Sequence, residues 1–328
     1  MKELLSRLYG LTLQGAKKSA VGAGSDTWFL TCEQGRFVLK YPADSAINNP
    51  ALEPQLCETL LQKGLPVCQF LKNHAGEYIS QDDTGRIFTV QRFLEGKMYD
   101  LNAAPDWLLP AQAEMLARIH NALRDCQSLP TGIGADFFRH MTPQNVLPSF
   151  QNSLRIALEA RQADIADELR YRIELLERFP QRQFDLQKLT TCATHGDYFI
   201  SQLLCGEDRI NAVIDWTCAC VHPVVWELTR SYVYASPRCK EGGIDIGEFC
   251  DTVAAYRVLA PLNAEDIRCL GTLFQTQIAV CDYYGQYYAS TAANRHIYLH
   301  QARFSTALLR WFDAHLDALN AELARRFL

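Results

Sequence analysis

The chain has 328 residues, which is enough for one large domain or two smaller ones with a substantial core. Hydrophobic residues make up 48% and charged residues 21%, as in an ordinary globular protein, and the formal net charge is -5. This charge gives no sign of the basic face that nucleic-acid binding requires, so we expect no nucleic-acid partner.

No apolar run approaches the roughly 18 residues of a membrane span, and we expect no membrane partner. The N-terminal segment has leucines at helical spacing but lacks the continuous apolar core of a signal peptide. The twelve cysteines show no metal-binding spacing and sit mostly in apolar contexts, which favours reduced, structural thiols. We therefore expect a cytoplasmic protein.

The first 95 residues have the pattern of a small β-rich domain. Alternating and β-branched residues between turn signals predict strands at residues 27–31, 36–41, 77–80 and 87–93. Between the two pairs, residues 52–63 carry leucines at helical spacing, and Gly64 follows as a helix end.

From about residue 96 onward the pattern becomes helical. Apolar residues recur at spacings of three and four, which predicts helices with one buried face. These helices are expected at residues 105–122, 153–179, 249–259, 266–288 and 302–326. The sequence thus predicts an α+β fold with two domains, residues 1–95 and residues 96–328.

Two aspartates, Asp197 and Asp215, lie 18 residues apart, each beside an apolar run that is typical of a buried strand. Residues 203–205 follow the first aspartate, residues 212–214 precede the second, and a short turn at 206–208 separates the runs. Such a hairpin is expected to bring the two carboxylates close together. Phosphoryl transfer of the kinase type needs one aspartate to receive the proton of the attacking hydroxyl, and an amide and a second aspartate to hold magnesium.

The segment from His195 to Gln202, together with the Ile-Asp-Trp that contains Asp215, resembles a known catalytic loop. It is similar to that of the aminoglycoside phosphotransferase and choline kinase superfamily, the small-molecule relatives of protein kinases. Residues 197–199 and 219–220 also resemble the type II homoserine kinases. The resemblance covers nearly the whole chain and implies a two-lobed protein-kinase-like fold that uses ATP and Mg²⁺.

The same resemblance assigns roles to the loop. Asp197 is the implied catalytic residue, and Asp215 and Gln202 are the implied metal ligands. The family has Asn where Gln202 stands, and Gln carries the same amide oxygen on a stem longer by one methylene group.

A candidate phosphate-binding turn precedes the first predicted strand. Gly22 and Gly24 would let the backbone approach a phosphate, and Ser25 follows them. Lys40, 16 residues beyond Gly24, resembles the family's phosphate-contacting lysine. The alternative is a tight hairpin with a surface lysine, but the order of turn, strand-borne lysine and helix favours a nucleotide site.

Lys40 would need an acidic partner on the following helix. Glu53 and Glu58 both qualify by position, and Glu53 matches the family better because it lies nearer the helix N-terminus. The segment around Gln91 and Phe93 resembles the interlobe hinge, where backbone groups would bind the adenine ring. Backbone contacts leave little trace in a sequence, so the choice between ATP and GTP stays open.

The residues that would bind the acceptor, the molecule whose hydroxyl receives the phosphate, are less well defined. Residues 282–288 contain Asp282 and four tyrosines, and Trp226, Tyr232 and Tyr234 lie beyond Asp215. An aromatic box beside a carboxylate suits a cationic alcohol such as choline, or an amino alcohol such as homoserine. The alternative is that these rings pack between helices with their hydroxyls hydrogen-bonded. His120, His195 and Glu227 are expected to order the catalytic loop and its surroundings rather than to move protons.

Two rival functions remain. A kinase-like structural protein, such as a spore coat protein, is favoured by Gln202 and by Asp26, where the family often has Asn. A metal-dependent hydrolase would need clusters of histidine and carboxylate that the sequence lacks. Asp197, Asp215 and Lys40 together favour the enzyme, an ATP- and magnesium-dependent phosphotransferase acting on the hydroxyl of a small, positively charged alcohol.

Overall fold

The structure is a computed structural model that describes residues 1–19, 25–42, 49–126, 128–179, 184–291 and 294–328. It divides into two compact units. The first comprises Met1–Met98 and Ser201–Ala219, and the second comprises Tyr99–Ile200 and Cys220–Leu328. The segment that follows the predicted catalytic loop therefore belongs to the same unit as the N-terminal sheet.

The first unit is built on an antiparallel sheet of five strands in the order β1-β2-β3-β5-β4. The strands are β1 Leu13–Lys18, β2 Asp26–Cys32, β3 Gly35–Tyr41, β4 Ser80–Gln81 and β5 Ile87–Arg92, and the helices are α1 Lys2–Tyr9 and α2 Leu52–Gln62. Three of the four strands and the helix predicted here are present, whereas the strand predicted at residues 77–80 shares only Ser80 with β4. Strand β1 and helix α1 are additions that the sequence prediction did not contain.

One face of the sheet is covered by the N-terminal helix. Leu4 and Leu5 of α1 pack with buried side chains from the central strands, including Leu39, Phe88 and Val90. Each such side chain contributes about 1.5–3 kcal/mol when it is fully removed from water. This packing fixes β3, the strand that carries Lys40.

A two-stranded hairpin completes the first unit. Its strands are β7 Leu203–Cys205 and β8 Ile210–Val213, as the apolar runs predicted. Lys97 and Cys205 exchange two backbone hydrogen bonds of 2.8 Å, and a Cβ added at Gly96 would lie 2.8 Å from the Leu204 Cβ. The chain can approach the hairpin this closely because residue 96 is glycine.

The second unit is mainly helical, with one small two-stranded sheet. Its strands are β6 Thr191–Thr194 and β9 Cys220–Pro223. Its helices are α3 Leu108–Leu123, α4 Ala135–His140, α5 Pro143–Glu159, α6 Ala163–Arg178, α7 Val224–Ala235, α8 Ile246–Leu259, α9 Ala264–Val280, α10 Tyr283–Ala289 and α11 Arg295–Phe327. Helices α4 and α7 are absent from the sequence prediction.

Two of the predicted helices are wrong as single helices, because the structure has two helices in place of each. The predicted helix 153–179 is interrupted after α5, where Arg161 adopts a left-handed conformation with φ 56° and Gln162 N–H bonds to the Ala157 carbonyl. This is the hydrogen-bond pattern that closes a helix C-terminus. The apolar spacing continues across such a break, because each of the two helices also buries one of its faces.

The predicted helix 266–288 breaks between α9 and α10. The side chain of Asp282 accepts a hydrogen bond from Gly285 N–H and begins α10. The fully buried Arg172 donates to the carbonyl groups of Ile278, Ala279 and Cys281 at the end of α9. These contacts satisfy carbonyl groups that a helix end leaves without partners.

All twelve cysteines lie within the described residues and none forms a disulfide. Among the helices of the described ranges, none has the length and apolar character needed to cross a membrane.

Candidate active site

Three charged side chains of the first unit meet at Lys40. Its ammonium lies 2.7 Å from Asp215 Oδ1 and 3.5 Å from Glu53 Oε2. Burial disfavours the charged ammonium, but the two carboxylates outweigh this effect and raise the pKa of Lys40. Lys40 is therefore a fixed positive charge at the end of β3.

Asp215 is held in a special backbone conformation. It has φ 63° and ψ 66°, a left-handed geometry that is uncommon for a residue other than glycine. Its carboxylate accepts a second hydrogen bond, from the Thr217 hydroxyl at 3.0 Å, and its side chain remains 43% exposed. Backbone strain and exposure of this kind are typical of functional carboxylates.

Gln202 lies at the same end of the hairpin as Asp215. Its carbonyl oxygen accepts a hydrogen bond from Ile214 N–H at 2.9 Å, directly before the β7–β8 pairing begins at Leu203 and Val213. The hairpin therefore places the backbone of Gln202 opposite Ile214, the residue directly before Asp215.

Glu53 has two partners within the first unit. Its Oε2 faces Lys40, and its Oε1 accepts a hydrogen bond of 3.0 Å from Trp216 N–H. Glu58, the other candidate on α2, forms a solvent-exposed pair with Lys72. Of the two glutamates, Glu53 is thus the one beside Lys40, and it also fixes the backbone next to Asp215.

The predicted phosphate-binding turn is only partly described. Gly22 and Gly24 lie outside the described residues. Ser25 is half-buried directly before β2, with its hydroxyl 3.4 Å from that of Thr27. The carboxylate of Asp26 pairs with Lys18 at 2.7 Å and holds the first two strands together.

Gln91 and Phe93 lie at the end of β5 and just beyond it. Gln91 pairs with Val38 in the sheet, and its Oε1 is buried without a hydrogen-bond partner among the described residues. Phe93 donates its N–H to the Arg36 carbonyl, and its ring lies 3.7 Å from the guanidinium of Arg36. The backbone of this segment is therefore tied to β3.

In the second unit, the His-Gly-Asp turn orients Asp197. Gly196 has φ 79°, a conformation that favours glycine, and Asp197 N–H bonds to His195 Nδ1 at 3.2 Å. The carboxylate of Asp197 is 33% exposed and accepts a hydrogen bond of 2.7 Å from Arg230 Nη2. Asp197 is therefore a positioned, accessible carboxylate with a cation beside it.

Behind this turn, Glu227 is completely buried on α7. It accepts hydrogen bonds from the Thr194 hydroxyl and from Tyr198 N–H, and His120 Nε2 lies 3.7 Å away. Burial alone would raise the pKa of Glu227, but the nearby histidines, His120 above all, lower it to about 2. Glu227 is thus a permanent anion that anchors the turn, the structural role expected for it.

His120 also has the structural role expected from the sequence. Both ring nitrogens have partners, Tyr256 OH at 2.7 Å and the Thr194 hydroxyl at 2.8 Å, and the ring is buried. A histidine with both nitrogens engaged in the core is suited to ordering the loop rather than to exchanging protons with substrate.

The aromatic residues of the acceptor side separate into different environments. Trp226, Tyr234 and Phe199 surround Arg230, whereas the hydroxyl of Tyr232 donates a hydrogen bond to Glu248.

Asp282 is not the anion of an aromatic box. Its carboxylate caps α10 and accepts hydrogen bonds from Ser149 and Ser153.

Arg230 is the residue of this region that the sequence prediction missed. It lies on α7, three positions after Glu227, in a helix whose other residues are almost all buried. A charged residue at a buried position of an apolar helix is a usable signal, since such a charge needs a specific partner. That signal requires α7 to be predicted first.

Comparison with known proteins gives a consistent picture. A model described as the phosphotransferase enzyme family matches residues 16–262. A homoserine kinase from Methylobacillus flagellatus is 26% identical over 258 residues, covering 78% of this chain and 73% of its own.

Solved structures of the same fold cover nearly the whole chain. An aminoglycoside phosphotransferase from Alicyclobacillus acidocaldarius superposes with a TM-score of 0.65 at 16% identity, covering 100% of this chain and 96% of its own. A microcompartment-associated aminopropanol kinase gives a TM-score of 0.59 at 14% identity and covers 98% of both chains. The two-lobed protein-kinase-like fold expected from the sequence is thereby confirmed.

Proposed function

The chain belongs to the phosphotransferase enzyme family and is a small-molecule kinase that acts on a hydroxyl group, and from that premise we propose that it uses ATP and Mg²⁺ to phosphorylate an amino alcohol of the homoserine type. The observation that carries the proposal is the convergence of Lys40, Glu53 and Asp215 in the first unit. A structural protein has no need of a strained, exposed aspartate paired with a partly buried lysine.

The residues of the first unit fit a magnesium nucleotide. Asp215 and Gln202 offer oxygen ligands, which Mg²⁺ prefers, and the described residues contain no group of three His, Cys, Asp or Glu side chains around a common point. Magnesium commonly takes one or two protein ligands and completes its shell with water and phosphate oxygens. Bound there, it would supply charge neutralisation for the phosphates.

The protein residues would do the rest by positioning and charge. Lys40 would contact phosphate oxygens, and Asp197 would orient the acceptor hydroxyl and accept its proton. Because phosphoryl transfer has a loose transition state, little base strength is required of Asp197. Arg230, which pairs with this carboxylate at 2.7 Å, would hold it in position for that task.

Two relatives support an amino alcohol as the acceptor. One is the homoserine kinase, and the other is the aminopropanol kinase, which shares the fold. Homoserine and aminopropanol, the substrates in these two names, both combine a hydroxyl with an amino group. We propose an acceptor of that class in preference to a neutral sugar.

The test is nucleotide consumption by the purified chain with homoserine, propanolamine, choline, ethanolamine, methylthioribose and an aminoglycoside. We expect magnesium-dependent turnover with homoserine or another amino alcohol, and none when Asp197 is replaced by Asn. A clear preference for methylthioribose would refute the acceptor class, and failure to bind magnesium nucleotide would refute the proposed cofactors.

A further inference from the structure

Arg230 in the second unit has an unusual combination of contacts. Three aromatic rings lie near its guanidinium: Phe199 at 4.6 Å, Tyr234 at 5.3 Å and Trp226 at 5.6 Å. The aromatic cluster that could have received a cationic substrate therefore already contains a cation from the protein itself. A second positive charge beside it would be repelled.

Contacts with the described residues use only part of the hydrogen-bonding capacity of Arg230. Nη2 donates to Asp197 at 2.7 Å, whereas Nη1 lies 3.5 Å from the Tyr198 carbonyl, at the outer limit of a hydrogen bond. A guanidinium carries five N–H donors, which is more than these two contacts use. The side chain is 17% exposed, so a small ligand can reach it.

We propose that Arg230 binds a carboxylate of the acceptor, which makes the acceptor a hydroxy acid, such as a hydroxy amino acid, rather than a simple cationic alcohol. This inference rests on the proposed function, because it takes the acceptor hydroxyl to lie at Asp197. Arginine suits this role because its planar donor edge matches the two oxygens of a carboxylate.

The distances agree with an acceptor of homoserine size. Four bonds separate the hydroxyl oxygen of homoserine from its carboxylate carbon, a reach of roughly 5 Å when extended. Arg230 Nη2 lies 2.7 Å from Asp197 Oδ1, which places the guanidinium and the carboxylate within the span of one molecule of this size. One acceptor can therefore place its hydroxyl at Asp197 and its carboxylate on Arg230.

The surrounding polar groups would complete such a subsite. Trp226 Nε1 donates to Gln277 Oε1 at 3.1 Å, which fixes one ring beside Arg230. Gln301 Nε2 donates to the hydroxyl of Tyr234 and fixes another. Asp282 is committed to the start of α10 and to two serines, so it does not balance the charge of Arg230.

The experiment compares acceptors that differ in one group. Homoserine has both the carboxylate and the amine, propanolamine lacks the carboxylate, and γ-hydroxybutyrate lacks the amine. For the wild type we expect kcat/KM to fall about 10- to 100-fold from homoserine to propanolamine, as for loss of a charge-assisted hydrogen bond. Equal values for the two would overturn the inference.

The variants separate binding of the carboxylate from positioning of Asp197. Arg230→Met affects Asp197 for every acceptor, but only a carboxylate-binding role predicts that the homoserine-to-propanolamine ratio falls to near one. Arg230→Lys, which keeps the charge without the planar donor edge, should retain part of the ratio. Arg268→Met, at an exposed arginine of α9, is the matched control and should leave the ratio unchanged. A ratio unchanged in Arg230→Met would overturn the inference.

Ligand-induced thermal stabilisation distinguishes failure of this inference from failure of the proposed function. If no acceptor is phosphorylated, but homoserine and γ-hydroxybutyrate stabilise the wild type and not Arg230→Met, the carboxylate subsite stands and the proposed function falls. If neither carboxylate ligand stabilises the wild type, the subsite falls, whatever the turnover with amino alcohols. Circular dichroism of each variant would establish that it is folded.

Discussion

Replacing Glu53 by Gln tests whether the Lys40 cluster serves the nucleotide. The substitution keeps an oxygen that can accept from Trp216 N–H and removes only the charge opposite Lys40. Lys40 retains Asp215 at 2.7 Å, and the lost contact is a long one of 3.5 Å. We therefore expect a loss of unfolding free energy of about 1–2 kcal/mol, at the low end for a hydrogen bond to a charged group.

The functional effect should appear in nucleotide binding and be of similar size. Without Glu53, the ammonium of Lys40 is attracted by Asp215 alone and draws towards the carboxylate proposed to hold the metal. An energetic penalty of about 1.4 kcal/mol corresponds to a tenfold change in affinity, so we expect KM for the magnesium nucleotide to rise about tenfold. The acceptor KM should change little.

Two further variants make the experiment decisive. Glu53→Ala also removes the acceptor of the buried Trp216 N–H, which should cost about 1–3 kcal/mol more. Glu58→Gln, on the same helix but in an exposed pair with Lys72, should change neither stability nor nucleotide KM. Urea unfolding and initial rates at varied nucleotide concentration give both quantities. Equal nucleotide KM values for Glu53→Gln and Glu58→Gln would refute the reasoning.

The remaining predictions concern the other charged residues and the amide. Asp197→Asn should abolish phosphate transfer and leave nucleotide binding measured by calorimetry intact, whereas Asp215→Asn should weaken magnesium-nucleotide binding as well; wild-type turnover in both would exclude these roles. Gln202→Asn should be tolerated, and Gln202→Ala should raise the magnesium concentration needed for half-maximal rate; an unchanged requirement would show that this side chain does not touch the metal. Because the pKa of Glu227 lies below its usual value of 4.5, its contribution to stability is complete above that pH and disappears as the pH falls towards about 2, so Glu227→Gln should flatten the pH dependence of unfolding in that interval. If the urea midpoint of Glu227→Gln changes with pH in that interval as steeply as the wild-type midpoint does, this assignment is wrong.

Local patterns predicted the elements of the first unit well. Strands around Leu39 and Val90 and the helix around Leu56 were identified because alternation or helical spacing coincides with burial on one face. The β7–β8 hairpin was predicted equally well, from two apolar runs and the turn between them. Proximity of Asp197 and Asp215 stays a prediction, and the two residues belong to different units of the structure.

The two breaks between helices of the second unit could not be predicted in this way. Arg161 and Asp282 end or begin helices through backbone conformation and capping, while the apolar spacing continues on both sides. Helix α7 was missed because nearly all of its residues are buried, so it lacks the polar stripe that marks an amphipathic helix. Arg230 was missed with it.

The two aspartates illustrate how one residue type acquires different partners. Asp215 is paired with a lysine that is itself shared with Glu53, so its carboxylate lies within a fixed charge cluster built by a strand, a helix and a hairpin. Asp197 is paired with an arginine, for which we propose a carboxylate of the acceptor as a second partner. Lysine is a compact charge suited to the diffuse negative charge of phosphates, and arginine is a planar donor suited to a carboxylate. The choice of cation beside each aspartate therefore carries information on the ligand expected there, nucleotide phosphate at Lys40 and acceptor carboxylate at Arg230.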